Sequence, residues 1–404
     1  MRHLLPLLAL TLISVAWAQN SPSDLQTTSA PIVHGALDGP RTAVFTTPQD
    51  SCAPNDIPDA MARAFRDSTG TIHFVTASTD LYASLGPTLD SLKRSREAAY
   101  HSANDTSPAH FNDQAWIDSF YTLDGINVAG LTHTEYHGWA IQGECHVQGN
   151  DQYSACEYDS DTYHYSTDGG YHFHSLKAPR NFLAGVPYEY VIDDGPSGYS
   201  VDTNIILFGG WYYAVATSWT WPPNCFGTSG PRHCITSGGA PLRTQNVFDP
   251  ASWRGWNGTD FSLTFVDPYP GPVSHPLQHV YTPVPYMGFV NAINIYNANG
   301  EDIVVATLWD YWDDELGPPG TYLTTSTDLV NWTKPTLVAT VKDLLAQDPK
   351  GSWLYAYFSL LDPSAPDMNF ATIGDHPYLY YVRLNNNNVY DRVVFRQPIK
   401  LNVN

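Results

Sequence analysis

Five segments of this chain repeat one pattern, and a repeat of that kind leaves few folds open. Each is a short run of β-forming residues, a turn at Gly, and a second alternating or aromatic run. They are DSTGTIHFVTAS (67–78), TLDGINVAGLTH (122–133), ILFGGWYYAVAT (206–217), NANGEDIVVATL (297–308) and IGDHPYLYYVRL (373–384). β-branched and aromatic residues suit a pleated surface, and Gly supplies the positive φ of a tight turn, so each reads as a β-hairpin. A second strand pair around a polar turn follows most of them: YHYSTDGGYHF (163–173), PLRTQNVFDPASWRGW (241–256) and YLTTSTDLVNWTK (322–334). DLYASLGPTLDSLK (80–93) is a weaker first copy, and the last unit ends in DRVVFRQPI (391–399). Four strands per unit, five times over, predict an all-β fold: a five-bladed β-propeller of four-stranded antiparallel blades. A two-sheet sandwich explains the alternation but not the recurrence. DSLKRSREAAYHSA (90–103) is the one stretch that reads as a short helix or turn.

Charge narrows the partners. With 404 residues and a net charge of -21, the chain is a poor match for nucleic acid or an anionic membrane surface. Residues 1–18 read as a signal peptide: Arg2 and His3, an apolar run, then Ala16-Trp17-Ala18 as a cleavage site. Residues 19–54 read as a loose N-terminal lead-in, and 55–404 as a single propeller catalytic domain. The expected location is secreted, extracellular or periplasmic, and the expected state is a monomer. Export favours disulfides. Cys145 with Cys156 and Cys225 with Cys234 are close enough to staple one loop each, which leaves Cys52 over; other pairings stay open.

In a propeller the inner strand of each blade starts on the face where its second strand ends, and ligands gather there. Counting back from the hairpin glycines puts Arg63, Asp118 and Asp202 on inner strands, with Asn291 near the corresponding place in the fourth unit. The second strands end at HTEYHGW (His133 to Trp139), at TSWTW with Trp219 and Trp221, and at LWDYWDDE with Trp309. Carboxylates ringed by aromatics suit a sugar. Rings stack on its faces, and two carboxylates flanking a glycosidic bond act as acid and as base or nucleophile. Glu135 lies between His133 and His137, with Tyr136 and Trp139 beside it. Asp118 and Asp202 have apolar, aromatic neighbours, while Asp67 opens a turn and reads first as a cap. His133, Glu135 and His137 alternate, a possible metal geometry, and LWDYWDDELG is acidic enough for a structural Ca²⁺; hydrogen-bonded and solvated roles are commoner for both.

STDGGYHF resembles the Asp-box turn of sialidases, with Ser166, Asp168, Gly170 and Phe173 matching and His172 where Thr is usual. STDLVNW resembles the looser turn of five-bladed propeller glycoside hydrolases, the arabinanase, xylosidase and invertase-like group. In such turns the Asp is structural, so Asp168 and Asp328 are expected outside catalysis. The resemblance implies one carboxylate on each of three inner strands: a base or nucleophile, a modulator and an acid. Here the first blade offers Arg63 or Asp67 instead. Arg66-Asp67 resembles the Arg-Asp pair of fructan-acting members, whereas the invertase Trp-Met-Asn-Asp-Pro motif and Glu-Cys pair are absent.

The expectation is a glycoside hydrolase acting on a polysaccharide or oligosaccharide, with Glu135 and Asp202 as acid and base. Asp118 and Asp67 are alternates or modulators, and Arg63 and Arg66 ligand contacts. His133, Tyr136, His137, Trp139, Trp219, Trp221, Asn291 and Trp309 line the substrate, and no cofactor is needed. The rivals are a polysaccharide lyase using the His, Tyr136 and Arg on a uronate, and a non-catalytic sugar-binding propeller.

Overall fold

The computed structural model describes residues 30–201, 203–219, 238–311, 315–348 and 350–403. The expected signal peptide, Asp202, Trp221, Cys225 and Cys234 lie outside the described residues. Two strands come first, β1 (Val33–Leu37) and β2 (Thr42–Thr46). Next are β3 (Ala62–Arg66), β4 (Ile72–Thr76), β5 (Asp80–Leu81), β6 (Ala83–Gly86), β7 (Lys93–Arg94) and β8 (Tyr100–His101). A four-stranded sheet runs β3-β4-β6-β7, and β5 pairs with β8.

A ten-stranded sheet follows: β9 (Gln114–Thr122), β10 (Val128–His137), β11 (Glu157–Ser166), β12 (His174–Ser175), β13 (Phe182–Gly185), β14 (Ser197–Val201), β15 (Ile206–Phe208), β16 (Trp211–Trp219), β17 (Gly238–Thr244) and β18 (Arg254–Gly255). It is two antiparallel runs, β9-β10-β11 and β14-β16-β17-β18, joined where Tyr158 and Asp159 pair in parallel with Ser197 and Gly198. The remaining strands are β19 (Val290–Ala298), β20 (Glu301–Asp310), β21 (Gly320–Ser326), β22 (Thr336–Thr340), β23 (Trp353–Leu361), β24 (Thr372–Ile373), β25 (Tyr378–Asn385) and β26 (Asn388–Val403). One five-stranded sheet is β22-β21-β20-β19-β24; the other runs β23-β25-β26 and takes both β1 and β2 on β26. The α-helices among the described residues are the short Gln152–Ala155 and Val341–Leu345.

The hairpins form where the turns predict them. Between β19 and β20, Asn299 (φ 57°) and Gly300 (φ 96°) are both left-handed, as are Gly209 (57°) and Gly210 (82°) between β15 and β16. Two left-handed residues give the turn whose twist matches paired strands. The Ser-Asp turns are braced alike. Asp168 accepts from the Ser166 hydroxyl (2.8 Å) and the His172 N–H (3.0 Å). Asp328 accepts from the Ser326 hydroxyl (3.1 Å) and the Asn331 N–H (2.7 Å).

Three expectations give way. The lead-in is not loose after residue 30, because β1 and β2 complete the last sheet and bury Val33 and Phe45. Of the helix or turn expected over 90–103, no helix forms. Ser95 and Ala99 donate their N–H groups to Ala83 and Leu81, and pairing with earlier strands outweighs a weak local preference. Gly374 makes no hairpin turn. Its N–H goes to Asp362 in the long connection after β23, and β23 pairs with β25, whose own hairpin is to β26.

The starts of the runs succeed one another around a common centre. Arg63 on β3 donates to the Asp118 carbonyl on β9 (3.0 Å), and the Ser119 hydroxyl to the Thr203 carbonyl. Asn204 donates to the Ile293 carbonyl on β19 (2.7 Å), and Asn294 to that of Leu360 on β23 (3.4 Å). β23 in turn lies against β3, which closes the circuit.

Candidate active site

β10 changes character along its length. Its last six residues alternate, with Thr132, Thr134 and Tyr136 buried and His133, Glu135 and His137 only partly so. The antiparallel register sets Trp116 of β9 opposite His133, and Gln114 opposite Glu135. On the other side β11 sets Asp161 opposite His133, Asp159 opposite Glu135 and Glu157 opposite His137. Opposed residues share a face of the sheet, so two imidazoles and four carboxyls of β10 and β11 form one patch, flanked on β9 by Trp116 and Gln114.

Glu135 is its hinge. One carboxylate oxygen is 2.6 Å from His137 Nε2, and the other 3.6 Å from His133 Nε2, which also lies 3.8 Å from Asp159. The Trp116 ring centroid is 5.8 Å from that of His133, Trp139 stands 4.7 Å from His137, and Tyr153 meets Trp139 edge-on at 4.9 Å. The three alternating side chains are thus partners of one another, not an open ligand set. Among the described residues, the only group of metal-type side chains within ligand distance is Cys145, Cys156 and Asp193, and its two thiols are joined as a disulfide.

The patch separates the charge states of its carboxyls. Burial alone would raise the pKa of Glu135, but the His137 hydrogen bond and the charge of His133 outweigh it and hold the carboxyl below its usual range. Glu157 has no such relief. Burial, then the charges of Asp159 and Glu135, push it well above the ordinary glutamate range. Asp159 is raised to about 6, chiefly by burial. For His133 burial opposes the proton, but the Asp159 contact and the charges of Glu135, Asp159 and Asp118 prevail and hold the ring protonated. One carboxylate and one carboxylic acid therefore stand side by side near neutral pH.

The other expected residues divide. Arg63 lies deep in the centre, its guanidinium donating to the carbonyls of Asp118 (3.0 Å) and Asn291 (2.8 Å). Asp118 is buried beside it and acts on the patch through its charge. Asn291 takes the Phe358 N–H (3.1 Å), and Trp309 stacks on Phe358 at 4.2 Å. Tyr136 faces away because it has the opposite parity on β10: its hydroxyl reaches the Thr106 carbonyl (3.3 Å) and its ring packs on Tyr190. Asp67 and Arg66 are not brought into the patch. Asp67 braces the β3–β4 turn through the N–H groups of Thr69 (2.8 Å) and Thr71 (3.0 Å), and Arg66 lies over Phe370. The side chain of Trp219 lies outside the described residues. In the acidic loop, Asp310 accepts the Leu316 N–H (3.1 Å), and residues 312–314 are not described.

Glu157 and Asp159 escaped the sequence reading. The signal was present in EYDSDTYHYS (157–166): counting back from Ser166 opposite Val128 places Glu157 opposite His137. Two features hold this stretch. The Cys145–Cys156 disulfide ends on the residue before Glu157, with Cα atoms 5.7 Å apart; Cys52 is free and exposed. Gly198 (φ 132°) lies so close to Asp159 that a Cβ would stand 2.0 Å from its carbonyl oxygen. Gly198→Ala is therefore expected to destabilise the protein by about 2–5 kcal/mol, through strain and overpacking. A denaturation midpoint equal to that of the parent would show that the two runs do not need this approach.

No family model matches the chain, and no curated protein matches it. Similar solved structures include a Dyadobacter fermentans protein of unknown function, at TM-score 0.47 and 9% identity, covering 92% of this chain and 99% of that one. An enzyme named GH43_1 from Xanthomonas citri aligns at TM-score 0.43 and 10% identity over 90% of each chain. An alpha-L-arabinanase from Cellvibrio cellulosa aligns at TM-score 0.41 and 9% identity over 82% and 89%. Likeness at that level decides neither fold nor activity for this chain, and both are read from its own residues.

Proposed function

We propose that the chain is a secreted glycoside hydrolase built as a five-bladed β-propeller, with its active site on the patch at the ends of β10 and β11. The circuit of inner strands and the four-stranded runs support the blade count, with the ten-stranded sheet taken as two blades and β1 and β2 completing the last. The observation that carries the activity is the pairing of an ionised Glu135 with a protonated Glu157 on one sheet face beside Trp116 and Trp139. Splitting the pKa values of two neighbouring carboxyls assigns the acid and the base.

A sugar chain stacks on the indoles with its glycosidic oxygen toward Glu157. Glu157 gives its proton to that oxygen as the C–O bond breaks. Glu135 takes a proton from a water whose oxygen bonds to the anomeric carbon, so one water is consumed per bond cut. The protonated His133 and the hydrogen-bonded His137 keep Glu135 ionised between turnovers. A lyase is less well served, since Tyr136 points to the opposite face and Arg63 already serves backbone carbonyls.

The test is a panel of neutral and uronate-containing polysaccharides, following both new reducing ends and ultraviolet-absorbing unsaturated ends. Reducing ends alone are expected. Unsaturated ends would establish a lyase, and neither product would leave a binding protein. The pH profile of kcat/KM is expected to be a bell. Its acid limb lies below the ordinary glutamate range and follows Glu135; its alkaline limb lies well above that range and follows Glu157. Asp159→Asn removes the like charge next to Glu157, lowers its pKa and should move the alkaline limb to lower pH. An alkaline limb that stays in place would remove Glu157 as the acid.

A further inference from the structure

The far end of the same two strands carries a second concavity. A groove of about 540 Å³ opens beside the Val128–Ser166 end of the β10–β11 ladder, between that turn and the 246–251 turn after β17. Its size falls within the range of small-molecule sites. Tyr163, Tyr165, Arg180, Asn246, Phe248 and Asp249 shape it. Tyr163 is the telling residue. Only 3% of the residue is exposed, and its hydroxyl makes no hydrogen bond among the described residues. A mostly buried ring whose hydroxyl is left to water at the wall of a groove offers a fixed hydrogen bond to a ligand atom.

The rim repeats the pattern. Asn246 spends its oxygen on the Phe248 N–H (3.2 Å), while its NH₂ has no partner among the described residues. The Arg180 guanidinium and the Tyr165 hydroxyl likewise have none there. Asp249 caps the Ala251 N–H through one oxygen (3.1 Å) and keeps the other for a donor. Unspent donors therefore outnumber acceptors, between the apolar walls of Tyr165 and Phe248. Arg180 and Asp249 cancel in charge. A neutral, oxygen-rich ligand with apolar C–H faces satisfies all of these groups, whereas a phosphate or polyanion would call for more cations.

We propose that this groove is a second carbohydrate-binding site, which holds a neutral oligosaccharide at the opposite end of β11 from Glu157. Along that 10-residue strand the two sites are on the order of 30 Å apart. A glycan held there is anchored without occupying the patch. The choice of glycan as ligand rests on the hydrolase reading; the open groove and its unspent donors do not.

The test uses the full chain carrying Glu157→Gln, with xylohexaose, arabinohexaose and cellohexaose as probes. Hydrogen–deuterium exchange should show protection by at least one hexaose at 176–180 and 246–251. Tyr163→Phe, which keeps the ring, should weaken that protection about tenfold, the worth of one hydrogen bond to a sugar oxygen. Phe248→Ala should abolish it. Groove protection that none of the hexaoses produces, or that both variants leave unchanged, overturns the proposal. Groove protection in a protein that cuts no glycan sustains the site and removes the hydrolase reading; hydrolysis without groove protection does the reverse.

Discussion

Glu157→Gln is expected to lower kcat by about 10²–10⁴ while leaving the melting temperature close to that of the parent, because the amide keeps the shape and loses the transferable proton. Glu135→Gln should cost a similar factor for the opposite reason, since it removes the group that accepts a proton. The pH dependence separates them: the first variant loses the alkaline limb of its residual activity, and the second loses the acid limb. Asp202→Asn is the competing experiment, because Asp202 is the inner-strand carboxyl that the sequence nominates as an acid. A greater loss there, with near-normal turnover in Glu157→Gln, would transfer the role and withdraw the β11 assignment.

The second large effect is on the fold. A chain beginning at residue 47 lacks β1 and β2, and β26 then loses the partners of Val393–Arg396 and of Ile399–Val403. Val33 and Phe45 leave the core, each with about 2 kcal/mol of burial, and the ladder hydrogen bonds go with them. Together these losses approach the whole stability of an ordinary domain. The shortened chain should fail to fold or should aggregate through the bare edge of β26. Comparison with a chain beginning at residue 30, by thermal melting and size-exclusion chromatography, decides it. A monomer melting within about 5 °C of the longer chain would mean that the last sheet stands without its first strands.

Much of the strand order was legible because turn chemistry is local. Gly209-Gly210 and Asn299-Gly300 announce their hairpins, and Ser166 and Asp168 announce a braced turn, within a few residues. What was missed depends on partners far away in the chain. Residues 33–46 read as loose because the strand that accepts them is the last one. Gly374 resembles a hairpin turn until Asp362 is seen to hold its N–H. The site follows the same division. Glu135 stood out through its neighbours in sequence, whereas Glu157 acquires its character only from Asp159 and Glu135 beside it in space. Tyr136 was misjudged by parity, since adjacent strand residues point to opposite faces. Asp67 behaves as its turn-capping pattern said it would.

The way β1 and β2 finish the sheet of β26 also sets a condition on biosynthesis. Thr47 and Arg392 are hydrogen-bonded neighbours 345 positions apart, and the last sheet is incomplete until both its first and its last strands are present. Contacts of such span are paid for in loop-closure entropy before they return anything, so they form late. A nascent or nicked chain is then an open strip with unpaired edges, not a smaller working protein. A chain that stops before β26 therefore leaves strand edges bare to proteases and chaperones, and synthesis of the last strand is read out as solubility.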